Sequence, residues 1–200
     1  MSRQERSREK IRAAARDLFI KHTVSRVTVE EIASYAGVSK KTLYNHFSSK
    51  EELERDVFRN FIAAIRMQIG ELADGEGDFL SKFRGLMAII TRVTGILNNR
   101  LIEDLQKNKR ELWTMIDEER HINFVDGVTP IFLQGQQQGF IRQQVDLPFV
   151  VEMLYRNIRV ISDADFIHRS GYSLSELAPK TLDLLMNGIM EKRETEKEEA

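Results

Sequence analysis
This sequence predicts an all-α fold, and three observations carry that expectation. Proline is scarce, 3 in 200 residues, so few positions forbid a helix. Glu, Lys, Arg, Gln, Leu and Ala abound while β-branched runs are few, a balance that favours helix almost throughout. Apolar residues recur at three- and four-residue intervals along most of the chain, as one buried helical face requires. With 42% apolar residues there is ample material for a packed core.

The elements follow in order. In SREKIRAAARDLFIKH, Ile11, Ala14, Ala15, Leu18 and Phe19 make the stripe of a first helix. Thr28, three residues before Glu31, forms a capping box that starts a second helix over Val29–Tyr35. Gly37 supplies a tight backbone position after it, and Ser39 is a good N-cap for a third helix. Two helices joined by so short a glycine-containing turn predict a helix-turn-helix. SSKEEL, residues 48–53, opens a fourth and longer helix with a Ser-x-x-Glu cap, and along it Leu53, Val57, Phe61, Ile65 and Leu72 keep helical spacing.

The loop DGEGD, residues 74–78, precedes helices expected at about 78–95, 98–107 and 109–138. Gly127 and Pro130 are expected to break or kink the last of these, and Gly139 to end it. Asp146 then caps a helix with Pro148 in its first turn, running to about residue 168. A final helix from Ser173 leads into EKRETEKEEA, a tail too charged to be buried and expected to fray. The count is about nine helices: an N-terminal three-helix domain at residues 1–48 and a larger helical domain at 49–200.

Charge separates the same two parts. Residues 1–50 carry 11 Lys and Arg against 5 Asp and Glu, net +6; the whole chain is −1, so the remainder carries −7. A basic head on an acidic body points to a polyanion met by the head alone. The third helix agrees. With Leu43 and Phe47 as its inward ridge, Lys41 and Asn45 point nearly opposite, flanked by Thr42, Tyr44 and Ser48. Such a donor-rich face suits the major groove of DNA, where Lys donates to guanine, Asn pairs with adenine and a Thr methyl meets thymine. Lys50, a cation at a helix N-terminus, is explained by an external anion such as a phosphate, or is a tolerated surface lysine.

Several function classes find no support. Without cysteine there is no disulfide, thiol nucleophile or thiolate metal site. The histidines at 22, 46, 121 and 168 are scattered; Asp117 with His121 has metal-pair spacing, but two ligands are too few. GQQQGF lacks the preceding strand and the Lys-Ser/Thr ending of a phosphate loop. Carboxylates fall in mixed-charge helical runs, so no catalytic constellation, cofactor or metal is expected. No apolar run approaches the ~18 residues of a membrane span, and the N-terminus lacks the apolar core of a signal peptide, which predicts a cytoplasmic chain without membrane contact.

The stretch VTVEEIASYAGVSKKTLYNHFSSKEEL, residues 27–53, resembles the DNA-binding domain of the TetR family of bacterial transcriptional regulators. The likeness rests on Thr28, Ile32-Ala33, Ala36-Gly37-Val38-Ser39, Thr42-Leu43-Tyr44, His46-Phe47 and Lys50, and extends over roughly residues 8–55. One departure stands out: the family usually has Gly and then an aromatic after its first helix, where this chain has Thr23 and Val24. The resemblance implies a homodimer whose heads bind a palindromic double-stranded operator, usually as a repressor, while the body dimerises and often binds a small effector. By resemblance Thr28, Tyr44, His46 and Lys50 contact phosphates or support such contacts; Lys40, Lys41, Thr42 and Asn45, beside Ser39, fall where bases are read.

Within the body, Phe83, Met87, Ile90, Trp113, Ile116, Phe124, Phe132 and Tyr155 offer aromatic and pliable surface for a small hydrophobic effector, although stripes like these are more often plain core. Phe149, Met153 and Leu154, with Leu177, Leu184, Leu185 and Ile189, offer apolar stripes for a dimeric four-helix bundle in the last two helices, or for an intramolecular core. A ligand-independent regulator, an all-α enzyme and a helical protein-interaction module with a degenerate head are the competing readings. Neither of the last two needs Lys41, Asn45 and Lys50 together.

Overall fold
The computed structural model describes residues 2–190, Leu185 by its backbone alone; the charged tail of the final helix lies outside the described residues. Ten helices follow one another: α1 (Arg3–His22), α2 (Val29–Tyr35), α3 (Lys40–His46), α4 (Lys50–Asp74), α5 (Phe79–Ile96), α6 (Asn99–Asn108), α7 (Arg110–Gln137), α8 (Leu147–Ile161), α9 (Ala164–Ser170) and α10 (Leu174–Ile189). The one extended pairing among the described residues is an isolated bridge between Ile141 and Met190, which ties the end of α10 to the α7–α8 connection.

Local signals set most of the boundaries. Thr28 accepts from the Glu31 amide at 3.2 Å while the Glu31 carboxylate accepts from the Thr28 amide at 2.7 Å, so the box at α2 is complete. Ser39 and Ser49 accept from the third amides of α3 and α4, at 3.0 and 3.1 Å. Gly37 adopts φ +66°, the left-handed position that the tight turn between α2 and α3 needs. α7 ends at Gln137, and Gly139 follows at φ +73° as its terminator.

Two expectations are corrected. α7 runs unbroken through Gly127 and Pro130. Gly127 is there for close approach: a Cβ on it would stand 2.7 Å from the Ile69 side chain of α4, so its place on α7 lets the two longest helices touch. The helix expected over 146–168 is two, α8 and α9, which raises the count from nine to ten. The break is held by Gln106 of α6, whose amide donates to Ser162 O at 2.9 Å and accepts from the Ala164 amide at 2.8 Å. Asp163 then caps α9 through the Phe166 amide at 2.9 Å.

Three apolar clusters organise the interior. Ile11, Phe19, Ile32 and Leu43 of the first three helices and Phe47 just after α3 share one cluster with Leu53 and Phe58 of α4, Leu101 and Leu105 of α6, and Leu112 and Ile116 of α7. Phe79, Leu86, Phe132, Val151 and Met186 centre a second among α5, α7, α8 and α10. Ile102, Ile161, Ile167 and Leu174 form a third beside α9. Outside these, Asp56 of α4 receives Arg8 at 2.8 Å and Arg12 at 2.6 Å, clamping α1 to α4.

Thr23 carries the backbone strain of the head. It sits at φ 71° and ψ 160°, a region that a β-branched residue enters only with steric cost, of order 1–3 kcal/mol. This is the position where the family pattern has glycine. Thr23→Gly removes the Cβ clash and gives back part of the gain through unfolded-chain entropy, ~0.5–1 kcal/mol. The expected outcome is a net stabilisation of ~1 kcal/mol, a rise of about 2–4 °C in Tm for a chain of this size. Calorimetry checks it; an unchanged or lower Tm would mean the conformation costs nothing here.

Candidate nucleic-acid interface and ligand cavity
α3 has two unlike sides. Leu43 and Phe47 are fully buried among α1, α2 and α4, whereas Lys40, Lys41, Tyr44 and Asn45 are exposed and Thr42 and His46 are half-buried. The Ser39 and Thr42 hydroxyls pair at 2.8 Å, which fixes the start of the helix. Lys40 is ion-paired to Glu30 of α2, and this contact holds the Glu30 carboxyl below its usual range. Lys41, Tyr44 and Asn45 therefore form the outward surface, with Lys40 at its edge, and the Thr28 hydroxyl is spent on its own capping box.

Lys50 turns inward. Its ammonium donates to Val24 O at 2.8 Å and lies 3.5 Å from Glu54, one turn along α4. Glu54 is 2% exposed and also receives Lys109 at 2.8 Å. Asp104 of α6 reaches the same turn, accepting from the Ser25 amide at 2.9 Å, and Asn98 donates to Ile20 O at 3.1 Å. The turn between α1 and α2 is thus fastened to α4, α6 and the start of α7.

Between the body helices lies an apolar cavity of about 140 Å³. Phe58, Phe61, Ile62, Ile65 and Ile69 of α4 form one wall, facing Trp113, Ile116 and Phe124 of α7, with Ile158 and Leu182 from α8 and α10. A cavity of this order (~150 Å³) with apolar walls stays dry and takes up apolar molecules. Of the residues expected at a pocket, Ile90, Trp113, Ile116 and Phe124 line it. Phe83 and Met87 line a separate surface recess with Pro179 and Met186. Phe132 is packed edge-on against Phe79 in the core, and Tyr155 is buried with its hydroxyl donating to Asp117 at 2.8 Å. Burial pushes that phenol up to about 12.

Sequence reasoning missed the polar residues of the cavity, Arg66, Thr94, Arg120, Asn123, Ser162 and Thr181. Arg120 pairs with Asp117 at 2.9 Å and stacks near Trp113 and Tyr155, yet its Nε is the one buried side-chain polar atom without a hydrogen-bond partner among the described residues. Its spacing from Asp117 was the available signal. Asp117 and His121 do not converge: Asp117 takes Arg120, Arg159 and Tyr155, while His121 meets Glu152 at 2.8 Å.

The family model described as bacterial regulatory proteins, tetR family, matches residues 11–57. Residues 11–57 of the chain are a TetR-family DNA-binding domain. The chain is a DNA-binding transcription regulator of the helix-turn-helix kind. It is similar to the HTH-type transcriptional regulator YvaF of Bacillus subtilis, 26% identical over 167 residues that cover 81% of this chain and 85% of that one. The HTH-type transcriptional repressor KstR2 of Mycobacterium tuberculosis is 25% identical over 160 residues, 71% of this chain and 70% of that protein. The transcriptional regulator FadR of Bacillus subtilis, solved in complex with stearoyl-CoA, shares the fold with a TM-score of 0.63 at 23% identity, over 90% of this chain and 98% of that one.

In the body the residues expected at a dimer face divide. Phe149, Met153 and Leu184 are exposed, Leu184 by 75%. Leu154 and Leu177 are buried in the subunit's own clusters, and Ile189 is half-buried against one of them. The side chain of Leu185 lies outside the described residues. Among the described residues no helix is long and apolar enough to cross a membrane.

Asp104 gives the head-to-body contact a pH dependence. Burial disfavours its charged form, but hydrogen bonds from Asn108 and Ser25 outweigh this and hold its carboxyl below the usual range. A depressed folded pKa contributes stability above the ordinary Asp value of ~3.9 that is lost as pH falls through the folded value. Asp104→Ala is therefore expected to lower Tm near neutrality, with the gap to the parent narrowing on acidification below about pH 4. Thermal melts across that range check it, and a gap independent of pH would assign the effect to packing.

Proposed function
We propose that this chain is a homodimeric repressor that binds a palindromic operator and is released when a small hydrophobic effector enters the body cavity. The observation that carries the DNA-binding half is the two-sided α3: a fully buried Leu43 and Phe47 hold Lys41, Tyr44 and Asn45 outward on a short, capped helix. Asn45 and Lys41 read bases, with Thr42 and Lys40 beside them, and Tyr44 and His46 meet the phosphates. Thr28 and Ser39 support these contacts by fixing the helix starts, and Lys50 by fixing the turn behind them. In functional terms residues 1–48 are the DNA-binding part and 49–200 the effector-binding and dimerising part. The repressor KstR2 supports the sign of regulation, and the acyl-CoA complex of FadR supports an apolar effector.

One recognition helix reads only a few base pairs, so two-fold repetition at half-sites ~34–36 Å apart supplies the rest of the specificity. Asn45→Ala is expected to weaken operator binding by ~1–3 kcal/mol and to relax base preference at one position per half-site. Lys41→Ala acts in the same direction. Titration of the operator and of single-base variants reads both; unchanged isotherms would remove α3 from the groove.

The dimer face is formed by Phe149 and Met153 of α8 with Leu184 of α10, three large apolar side chains left in solvent by the single subunit. Leu184→Glu places a charge on that face at a site already 75% exposed, so the fold tolerates it. Sedimentation is expected to find monomers with an unchanged helical spectrum and weakened operator binding. A folded variant that stays dimeric puts the interface elsewhere.

A further inference from the structure
Residues 1–50 hold five carboxylates, and four of them serve α1 or the start of α2. Glu5 and Glu31 complete the capping boxes of Ser2 and Thr28, Glu9 pairs with Arg12, and Asp17 with Arg16. The fifth, Glu30, lies in the first turn of α2 and reaches across to α3, where its carboxylate accepts from the ammonium of Lys40. Both side chains are exposed. Lys40 is the first residue of α3, and its ammonium stands 5.9 Å from the centre of the Tyr44 ring, so it is held between a carboxylate and an aromatic face. The fold has small need of this carboxylate: Thr28 and Glu31 already start α2, and an exposed ion pair adds little to stability.

Its place is adverse on a head that meets a polyanion. The recognition helix of a helix-turn-helix touches base edges with its N-terminal residues, so Lys40 enters the major groove and the carboxylate paired to it goes in alongside. There Glu30 is repelled by the flanking phosphates unless a base donates to it. The donors on offer in the major groove are the amino groups of cytosine and adenine. A G·C pair sets the guanine acceptors O6 and N7 beside the cytosine N4 donor, and the ion pair presents the inverse, a donating ammonium beside an accepting carboxylate. An A·T pair brings the thymine methyl into the same groove, an apolar group that a charged pair cannot use.

We propose that Glu30 reads bases: with Lys40 it recognises one G·C pair in each half-site, Lys40 donating to the guanine and Glu30 accepting from the cytosine N4 amino group. This rests on the operator-binding reading given above and extends the reading surface from α3 to the start of α2. Glu30 also rejects. Opposite a guanine O6 or a thymine O4 its charge faces another acceptor, which selects the direction of the base pair as well as its kind.

The test uses the full-length protein, an operator duplex that it selects from a randomised pool, the single-base variants of that duplex and one duplex of scrambled sequence. Glu30→Ala is expected to lose about fivefold or more of the parent's preference at one G·C position per half-site and to keep it at the others. With Lys40 released to a phosphate, the variant is expected to bind the scrambled duplex more tightly, with a salt slope steeper by ~0.9 per head. Glu30→Gln, which keeps the length of the side chain, is expected to move the preference at that position toward adenine. Lys40→Ala relaxes the same position, and the double variant Glu30→Ala, Lys40→Ala relaxes it no further than the more severe single one. Helical spectra are expected to match the parent's throughout. Unchanged preference at every position in both Glu30 variants, a weakening shared by all duplexes alike, or relaxation at an A·T position overturns the proposal; if Asn45→Ala still relaxes its own position in the same titrations, the operator reading stands. A pool that yields no duplex bound above the scrambled one overturns both.

Discussion
Glu54 lies buried one turn into α4, between Lys109 at 2.8 Å and Lys50 at 3.5 Å. Lys50 in turn donates to Val24 O, next to the strained Thr23 in the turn after α1. One carboxylate therefore joins the head, the long helix α4 and the start of α7. Taking such a charge out of water is costly, and its two cations make the burial tolerable; removing one partner of a buried pair typically costs about 3–5 kcal/mol. The arrangement also explains a lysine at the first position of a helix, where the helix dipole disfavours a cation. The anion it needs is supplied from within, one turn along the same helix. With this knot in place, the clamp of Arg8 and Arg12 on Asp56 and the contact of Asp104 with the Ser25 amide can set the angle of α3 to the body.

The parts of the fold legible in the sequence are those decided by neighbours along the chain. The capping box at Thr28 and Glu31, the Ser39 cap, the positive-φ glycines at 37 and 139 and the amphipathic stripe of α1 are local, and the helix ends they set stand within a residue or two of their expected places, except that α1 starts at Arg3, four residues before the stretch read for it. The two misplaced boundaries were set from a distance. Nothing within residues 146–168 announces that Gln106, more than fifty positions earlier, will bond the backbone on both sides of a break. Gly127 and Pro130 looked like interruptions because the reason for the glycine, the Ile69 side chain, lies on another helix.

The candidate site divides along the same line. The outer face of α3 was legible because a seven-residue helix with two inward residues leaves little choice about what points out. The cavity was not, since periodicity separates inward from outward but not a wall from a filled core. Phe132 and Phe124 share α7 and similar chemistry, yet one is locked against Phe79 and the other borders empty space. Phe61 and Ile65, noted only for their helical spacing, are half-buried for the same reason. Arg120 escaped notice because an arginine three residues from an aspartate normally reads as a solvated pair.

The first apolar cluster does not respect the division between a basic head and an acidic body. Leu101 and Leu105 of α6 and Leu112 and Ile116 of α7 belong to it as fully as Ile11 or Phe47. An engineer wishing to graft this head onto another regulator's sensor would thus inherit a constraint. The transplant has to bring α6 and the first turns of α7 with it, or rebuild their apolar faces in the recipient, because a cut after residue 48 slices through a continuous interior. A head cut at residue 48 and the body it leaves behind are for that reason matched parts rather than interchangeable ones.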